Sequence, residues 1–327
     1  TTTEQIDWPP NTNFSGWTYK PVTFNVSGLK DTGTNSWRPS LQLPIGTDGA
    51  NTTVNWSGCI EERQTFHGPD SDPSDDWDPI PSTALDMDID LVPTKSNIAS
   101  QWGPMLPSVI WQRYLVNTDG SGNKSRSSTR TTSNVSVGKD DGVSMPTVGE
   151  SCPTAATKFQ TWTPTDFRTY VNSLTTDGYT YHDIGLLWGA RIMSPTGIFA
   201  ALNAPKNMTI ERHMVFMTDG ETNVVHDDYS AYGVHWYDRR QTPTSTAPTN
   251  SQLVAMTDAR TEALCTAIKN KNINLWVVSY GDVGGPTNDR LRACATPGKF
   301  FQATSVASLV SNFKEIAAKI SALRLTQ

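Results

Sequence analysis

The chain has 327 residues, 36% of them hydrophobic, enough for one large domain or two small ones with a buried core. Charged residues are only 18% and the formal net charge is -6, a balance that argues against a nucleic-acid partner. No stretch approaches the roughly 20 apolar residues of a membrane span, and the amino end TTTEQIDWPP has neither a basic nor an apolar signal region, so no membrane contact by this chain itself is expected.

In chain order, residues 1–165 show little periodicity, and Thr, Ser, Asn, Asp, Pro and Gly crowd them as in secreted and surface proteins. Residues 17–26, WTYKPVTFNV, have the aromatic and β-branched character of a strand, with Pro21 confining it to a sheet edge or splitting it. Residues 66–81 read as an acidic, proline-rich loop. Asp86, Asp88 and Asp90 alternate in DMDID, superficially like a calcium loop. Leu91 stands where that loop needs glycine and Asn97 where it needs a bidentate glutamate, so the segment reads as a solvated strand edge. Residues 109–116 are a further candidate strand. Residues 117–150 are polar, low in complexity and rich in Ser, Thr and Gly, the composition of a long exposed loop.

Four cysteines, Cys59, Cys152, Cys265 and Cys294, lack the close C-x-x-C spacing of a zinc or redox site. Two disulfides are the economical reading. Pairing Cys59 with Cys152 and Cys265 with Cys294 keeps each bond within one half of the chain and implies an oxidising compartment. Four buried free thiols in a reducing compartment are the alternative. Asn-x-Ser/Thr sequons occur at Asn13, Asn25, Asn51, Asn55, Asn123, Asn134 and Asn207, as chance also produces in so polar a chain.

From Thr165 the texture changes. Phe167, Tyr170, Val171 and Leu174 fall at helical spacing behind Asp166 as a cap, and Asp177-Gly178 stops that helix. Ile184, Leu187 and Trp188 open a second helix that Pro195 ends. The short apolar run His213 to Met217, stopped by Thr218-Asp219-Gly220-Glu221, reads as a strand buried on both faces that delivers a carboxylate at its carboxyl end. A loop rich in His, Tyr, Trp and Asp follows at 223–250. Then come a helix over 251–270, a second buried strand over 273–279, a short helix over 289–295 and a short strand over 299–303. Val306, Leu309, Val310, Phe313, Ile316, Ala317, Ile320 and Leu323 make one apolar helical stripe. Strands alternating with helices mean a parallel, doubly wound sheet, whose ligands bind at the carboxyl ends of the strands.

A buried strand, Thr-Asp-Gly, a helix and a second buried strand, with the Gly-x-Thr loop Gly178 to Thr180 upstream, resemble the von Willebrand factor A domain. GCIEER around Cys59, GYTYHDIGLLWGARIMSP at 178–195, VFMTDGE, the helix bearing Cys265 and Lys269, LRACA and a terminal helix ending LRLT resemble the A-domain half of TadG-like proteins, bacterial components associated with the Tad (Flp) pilus. The resemblance is close over 152–327 and looser from residue 55. It implies an α/β, von Willebrand factor A-like fold, doubly wound and mostly parallel. Residues 1–151 would be a large, irregular, loop-rich insertion stapled by a disulfide, and 152–327 the carboxyl-terminal part of the A domain. It also implies a periplasmic, extracellular or cell-surface location and a protein partner, a pilus or envelope component.

In that family the A domain carries a metal-ion-dependent adhesion site built from an Asp-x-Ser-x-Ser loop, a threonine and an aspartate. Thr180 matches the second loop and Asp219 the third; as ordinary alternatives, Thr180 is a helix cap and Asp219 a turn former. Hard oxygen ligands suit Mg²⁺ or Ca²⁺ and leave a position for a partner's carboxylate. The first loop is missing, its nearest imitation being Asp119, Ser121 and Asn123 in DGSGN, which opens no amphipathic helix. The chain therefore reads as part of a longer protein whose amino-terminal portion holds the first strand and helix, and a strand from that portion or from a neighbouring molecule is expected beside the strand carrying Asp219.

Three functions compete: a non-enzymatic adhesion or assembly module, a secreted metal-dependent hydrolase using His226, Asp227, Asp228, His235 and Asp238, and a purely structural envelope component with a dead metal site. The hydrolase set has no H-E-x-x-H spacing and the chain no G-x-S-x-G elbow.

Overall fold

The runs RHMVFMT and INLWVVSY form strands β1 (Arg212–Thr218) and β2 (Ile273–Tyr280) in the computed structural model. The structure describes residues 2–3, 19–20, 23–31, 33–34, 36–46, 50–68, 77–106, 113–121, 124–131, 152–176, 178–203, 210–226, 228–243, 247–281 and 284–323. β1 and β2 pair in parallel from Arg212 with Ile273 to Thr218 with Ser279, and β3 (Phe300–Ala303) adds in parallel to the far side of β2. Parallel neighbours need crossover connections. Helix α3 (Asn250–Asn270) lies between β1 and β2 in the chain, and α4 (Gly285–Cys294) between β2 and β3. Helices α1 (Pro164–Ser173) and α2 (His182–Met193) and a single helical turn at Ala200–Asn203 precede the sheet, and α5 (Val306–Leu323) follows it. The fold is thus α/β with a parallel sheet.

The faces of the sheet are filled unequally. Leu186, Leu187, Leu253, Met256, Leu264 and Leu291 from α2, α3 and α4 bury Met214, Leu275 and Val277 on one face. On the other, α5 sets Ile316, with Leu309 and Ile320, over Trp276, Val278 and Phe301 of β2 and β3. Burial of β1 on both faces does not follow: Val215 is 39% and Met217 50% exposed. These two residues are in register with Trp276 and Val278, so they share the face that α5 covers, but α5 lies over β2 and β3. β1 is also the end of its sheet among the described residues, with β2 as its one strand neighbour.

Sequence and structure differ at several other places. Thr163, not Asp166, caps α1: its hydroxyl oxygen accepts the Asp166 N–H at 3.1 Å and its O–H donates to the Asp166 carboxylate at 2.7 Å. Pro164 explains the earlier start, because proline suits the first helical position, where its missing N–H would be unpaired anyway. Phe167, Val171 and Leu174 remain exposed rather than buried. In the polar 117–150 stretch, Lys124–Thr131 pairs antiparallel with Arg113–Thr118, since a ladder is a backbone interaction that Ser, Thr and Arg do not prevent. Of residues 17–26, Tyr19–Lys20 pairs with Thr2–Thr3, while 23–26 belong to no strand. Both disulfides are formed as expected, Cys59 with Cys152 and Cys265 with Cys294. They mark a chain that folds in an oxidising compartment. The second ties α3 to α4 across β2.

The main core crosses residue 151. Trp77, Ala84, Met87 and Ile89 pack in one cluster with Leu186, Leu253 and Leu275, while a smaller cluster of Leu29, Leu41, Leu43, Ile45, Val54 and Leu106 fills the amino-terminal hairpins. Between the 59–106 segment and the helices lies a buried network of charge. Glu62 accepts from Arg191 Nη1 at 2.7 Å and Nη2 at 3.1 Å, from Trp188 Nε1 at 2.7 Å and from Trp102 Nε1 at 3.2 Å. Arg260 of α3 donates to Asp86 at 2.7 Å and to Asp183 at 2.7 Å, and Tyr232 donates to Asp86 at 2.8 Å. Asp86 is therefore no solvated strand edge; it is 0% exposed. Burial raises the Asp183 pKa, while Arg260 works against that rise. Burial alone would lower the Arg260 pKa, yet Tyr232, Asp86 and Asp183 hold it above its ordinary value. Burial and the neighbouring Arg191 lower the Arg63 pKa to about 10, and its guanidinium lies 4.0 Å over the Trp102 ring.

Removing one partner of a buried ion pair leaves an uncompensated charge, so Glu62→Gln is expected to destabilise by about 3–5 kcal/mol in urea unfolding. Lys319→Ala, which breaks an exposed pair with Glu315 on α5, is expected to change stability by about 0.5 kcal/mol or less in the same measurement.

Candidate functional site

The carboxyl end of β1 delivers Thr218, Asp219, Gly220 and Glu221, and the loop before α2 delivers Thr180. These two loops meet. The Thr180 N–H donates to the Asn223 carbonyl at 3.0 Å and the Asn223 N–H to the Thr180 carbonyl at 3.2 Å, an isolated antiparallel bridge. Thr180 is half-buried, and Asp219 and Glu221 are exposed. Tyr181 occupies the cap position of α2 and no side chain caps that helix, so Thr180 is not its cap. The edge of a parallel α/β layer thus holds two oxygen-bearing side chains on touching loops, where such sheets bind ligands.

Beneath them lies His182, the first residue of α2, whose side chain is buried among the same loops. Its Nε2 is 2.9 Å from Thr218 Oγ1 and its Nδ1 3.1 Å from Thr222 Oγ1. Thr222 donates to Asp258 Oδ1 at 2.5 Å, and the other oxygen of Asp258 pairs with Arg290 Nη1 at 2.8 Å. Burial, with the nearby Arg290 charge, lowers the His182 pKa to about 4, so the ring is neutral at physiological pH. The sequence reading passed over His182, Thr222 and Asp258. A usable signal was present: hydroxyl residues stand at both ends of the Asp-Gly-Glu turn, and a histidine two positions after Thr180.

The histidine and aspartate loop is organised differently from a metal centre. His235 is 2% exposed, with Nε2 at 3.3 Å from Ser230 Oγ and 3.4 Å from Tyr181 Oη. His226 Nδ1 lies 2.5 Å from Asn250 Oδ1, and Asp238 accepts the Val234 N–H at 2.7 Å. Asp228 is half-buried, and Asp227 lies outside the described residues. Among the described residues no three or more His, Cys, Asp or Glu side chains gather as metal ligands. The donor chemistry at the β1 edge fits a hard cation in part: Thr180 and Asp219 supply two oxygens of the six or more such an ion takes. Asp119 serves its own turn, accepting the Ser121 N–H at 2.9 Å, while Asn123 lies outside the described residues.

Searches against family models, curated proteins and solved structures found no match.

The His235 pKa is lowered to about 3, first by burial and then by the Arg240, Arg260 and His226 charges. A histidine whose folded pKa lies below its unfolded value of about 6.5 stabilises fully above the latter, and that stabilisation is lost as pH falls toward the former. Between pH 6.5 and 4 the wild type is expected to lose up to about 1.4 kcal/mol per pH unit more than His235→Gln, read from urea unfolding at each pH. Parallel pH curves for the two proteins would contradict this.

Proposed function

We propose that this chain is a non-enzymatic adhesion or assembly module of the von Willebrand factor A type, similar to TadG-like proteins, working in the periplasm or at the cell surface. The observation that carries this reading is the pairing of the Thr180 loop with the loop beyond Asp219 at the carboxyl edge of a parallel sheet. Thr180 and Asp219 would hold a Mg²⁺ or Ca²⁺ ion together with water, and the ion would offer a coordination position to a carboxylate of the partner. Nothing in this role needs a nucleophile or a general base, which agrees with the engagement of His226, His235 and Asp238 in local hydrogen bonds.

The partner is a protein, and its docking begins at β1. Strand edges with unpaired backbone groups invite pairing with another chain. From His213 to Thr218 the strand has neither Lys, Asp, Glu nor Pro to discourage this, and Val215 and Met217 are exposed beside it. We propose that a strand of a pilus or envelope component, or of polypeptide joined to this chain, completes the sheet there. Two disulfides agree with the location, and among the described residues no helix is long and apolar enough to cross a membrane.

Calorimetry with Mg²⁺ is expected to show weak binding, with a dissociation constant on the order of 10⁻⁴–10⁻³ M, that Asp219→Ala or Thr180→Ala abolishes. Heat unchanged by both substitutions, or no heat at all from the wild type, would sink the cation reading. Binding tighter than about 10⁻⁶ M would show that a third ligand loop is present in the chain.

A further inference from the structure

The hydrogens around His182 can be counted. Asp258, ion-paired to Arg290, accepts the only hydroxyl hydrogen of Thr222 at 2.5 Å. Toward His182, 3.1 Å away, Thr222 Oγ1 can then only accept, so Nδ1 carries the ring hydrogen. The other nitrogen, Nε2, is 2.9 Å from Thr218 Oγ1, the second hydroxyl that the ring engages. Thr218 Oγ1 also receives the Gly220 N–H at 3.3 Å and donates to the Gly220 carbonyl at 3.1 Å, so the same hydroxyl closes the turn on itself.

One ring therefore grips the Asp219 turn at both ends, Thr218 before it and Thr222 after it. The same ring belongs to the helix whose preceding loop bears Thr180, and the Phe216 ring meets it edge to face at a centroid distance of 5.6 Å. With His182, Thr218, Thr222 and Asp258 each at most 8% exposed, water does not compete freely for these bonds.

We infer that His182, bridging Thr218 and Thr222, is the positioning residue of this edge, holding the Asp219 carboxylate in register with Thr180. The purpose of that register, a shared cation, rests on the function proposed above; the grip does not. Nor does His182 touch the cation or the partner in this role, since both its nitrogens are spent on threonines. Asp258 and Arg290 orient Thr222 from behind, which places α3 and α4 in the same chain of control.

Nitrogen-15 spectra of the histidine side chains in the full chain test the bond to Thr222 at neutral pH. A protonated Nδ1 at His182 is expected; a bare Nδ1 overturns the inference. Amide hydrogen exchange tests the grip. In His182→Ala, the amides of residues 219–223 are expected to exchange about tenfold faster, while those of β2 keep their protection. In His182→Asn, whose amide nitrogen stands near the place of Nδ1 and restores the bond to Thr222, part of the protection at 222 and 223 should return while Gly220 stays fast. Unchanged exchange in His182→Ala, or uniform loss across β2, removes the positioning role. Mg²⁺ calorimetry on the same variants separates the two proposals. If exchange responds as expected and the wild type binds no Mg²⁺, the grip stands and the cation reading fails. If the wild type binds and His182→Ala binds equally well, the positioning role fails alone.

Discussion

Two arginines and three carboxylates without access to water hold this molecule together. Glu62 and Arg191, Asp86 and Arg260, and Asp183 and Arg260 join a loop segment near residue 60, a turn near residue 86, both ends of α2 and the middle of α3. Moving such charges out of water is costly, and replacing them by well-packed apolar groups is often neutral or better for stability. What the network supplies in return is geometry. Apolar contacts tolerate sliding, whereas a carboxylate held by two guanidinium nitrogens and two indole N–H groups accepts one arrangement. The irregular segment 59–106 has few repeated backbone hydrogen bonds of its own, so its place on the helices is defined largely by these side chains. Trp188, Trp102 and Trp77 close over the guanidinium groups, with Arg191 4.8 Å from the Trp188 ring and Arg260 4.6 Å from that of Trp77.

What the sequence made legible followed from periodicity. β2, α3 and α5 are long, strongly patterned runs, and Thr249 with Gln252 forms a full capping box at the start of α3. The cysteine pairing was legible because each bond closes within one half of the chain. The alternation of Asp86, Asp88 and Asp90 misled, since a period of two places carboxylates on one side of a strand only if a strand exists. Here the segment turns instead: Asp88 accepts the N–H groups of Asp90 and Leu91, Asp86 faces inward to Arg260, and Asp90 pairs with Lys271 and Ser194. Burial of a charge depends on a partner 174 residues away in the chain, and no local pattern reports that.

At the candidate site the division is similar. Thr180 and Asp219 stood out because they sit just beyond core elements, and their loops do meet. The residues that set their relative position, His182, Thr222 and Asp258, lie at a helix start, after a turn and in a helix interior, where a polar residue looks ordinary. They acquire meaning only when α2, the β1 turn and α3 come together. The exposure of Val215 and Met217 was also hidden, for an apolar run states that its residues prefer burial without stating that this chain alone achieves it.

The bond between Cys59 and Cys152 joins positions 93 residues apart in the chain. A protease entering any loop between them would cut the backbone without parting the pieces. The nicked molecule would still carry Glu62 and Arg63 on one piece and Arg191 and Arg260 on the other, and the buried charges would hold both in place beside the sulfur link. Such damage would pass unseen on a denaturing gel run without reductant and appear as two bands once the bond is reduced. A protein built this way keeps its shape through cleavages that would release a fragment from an unbridged chain.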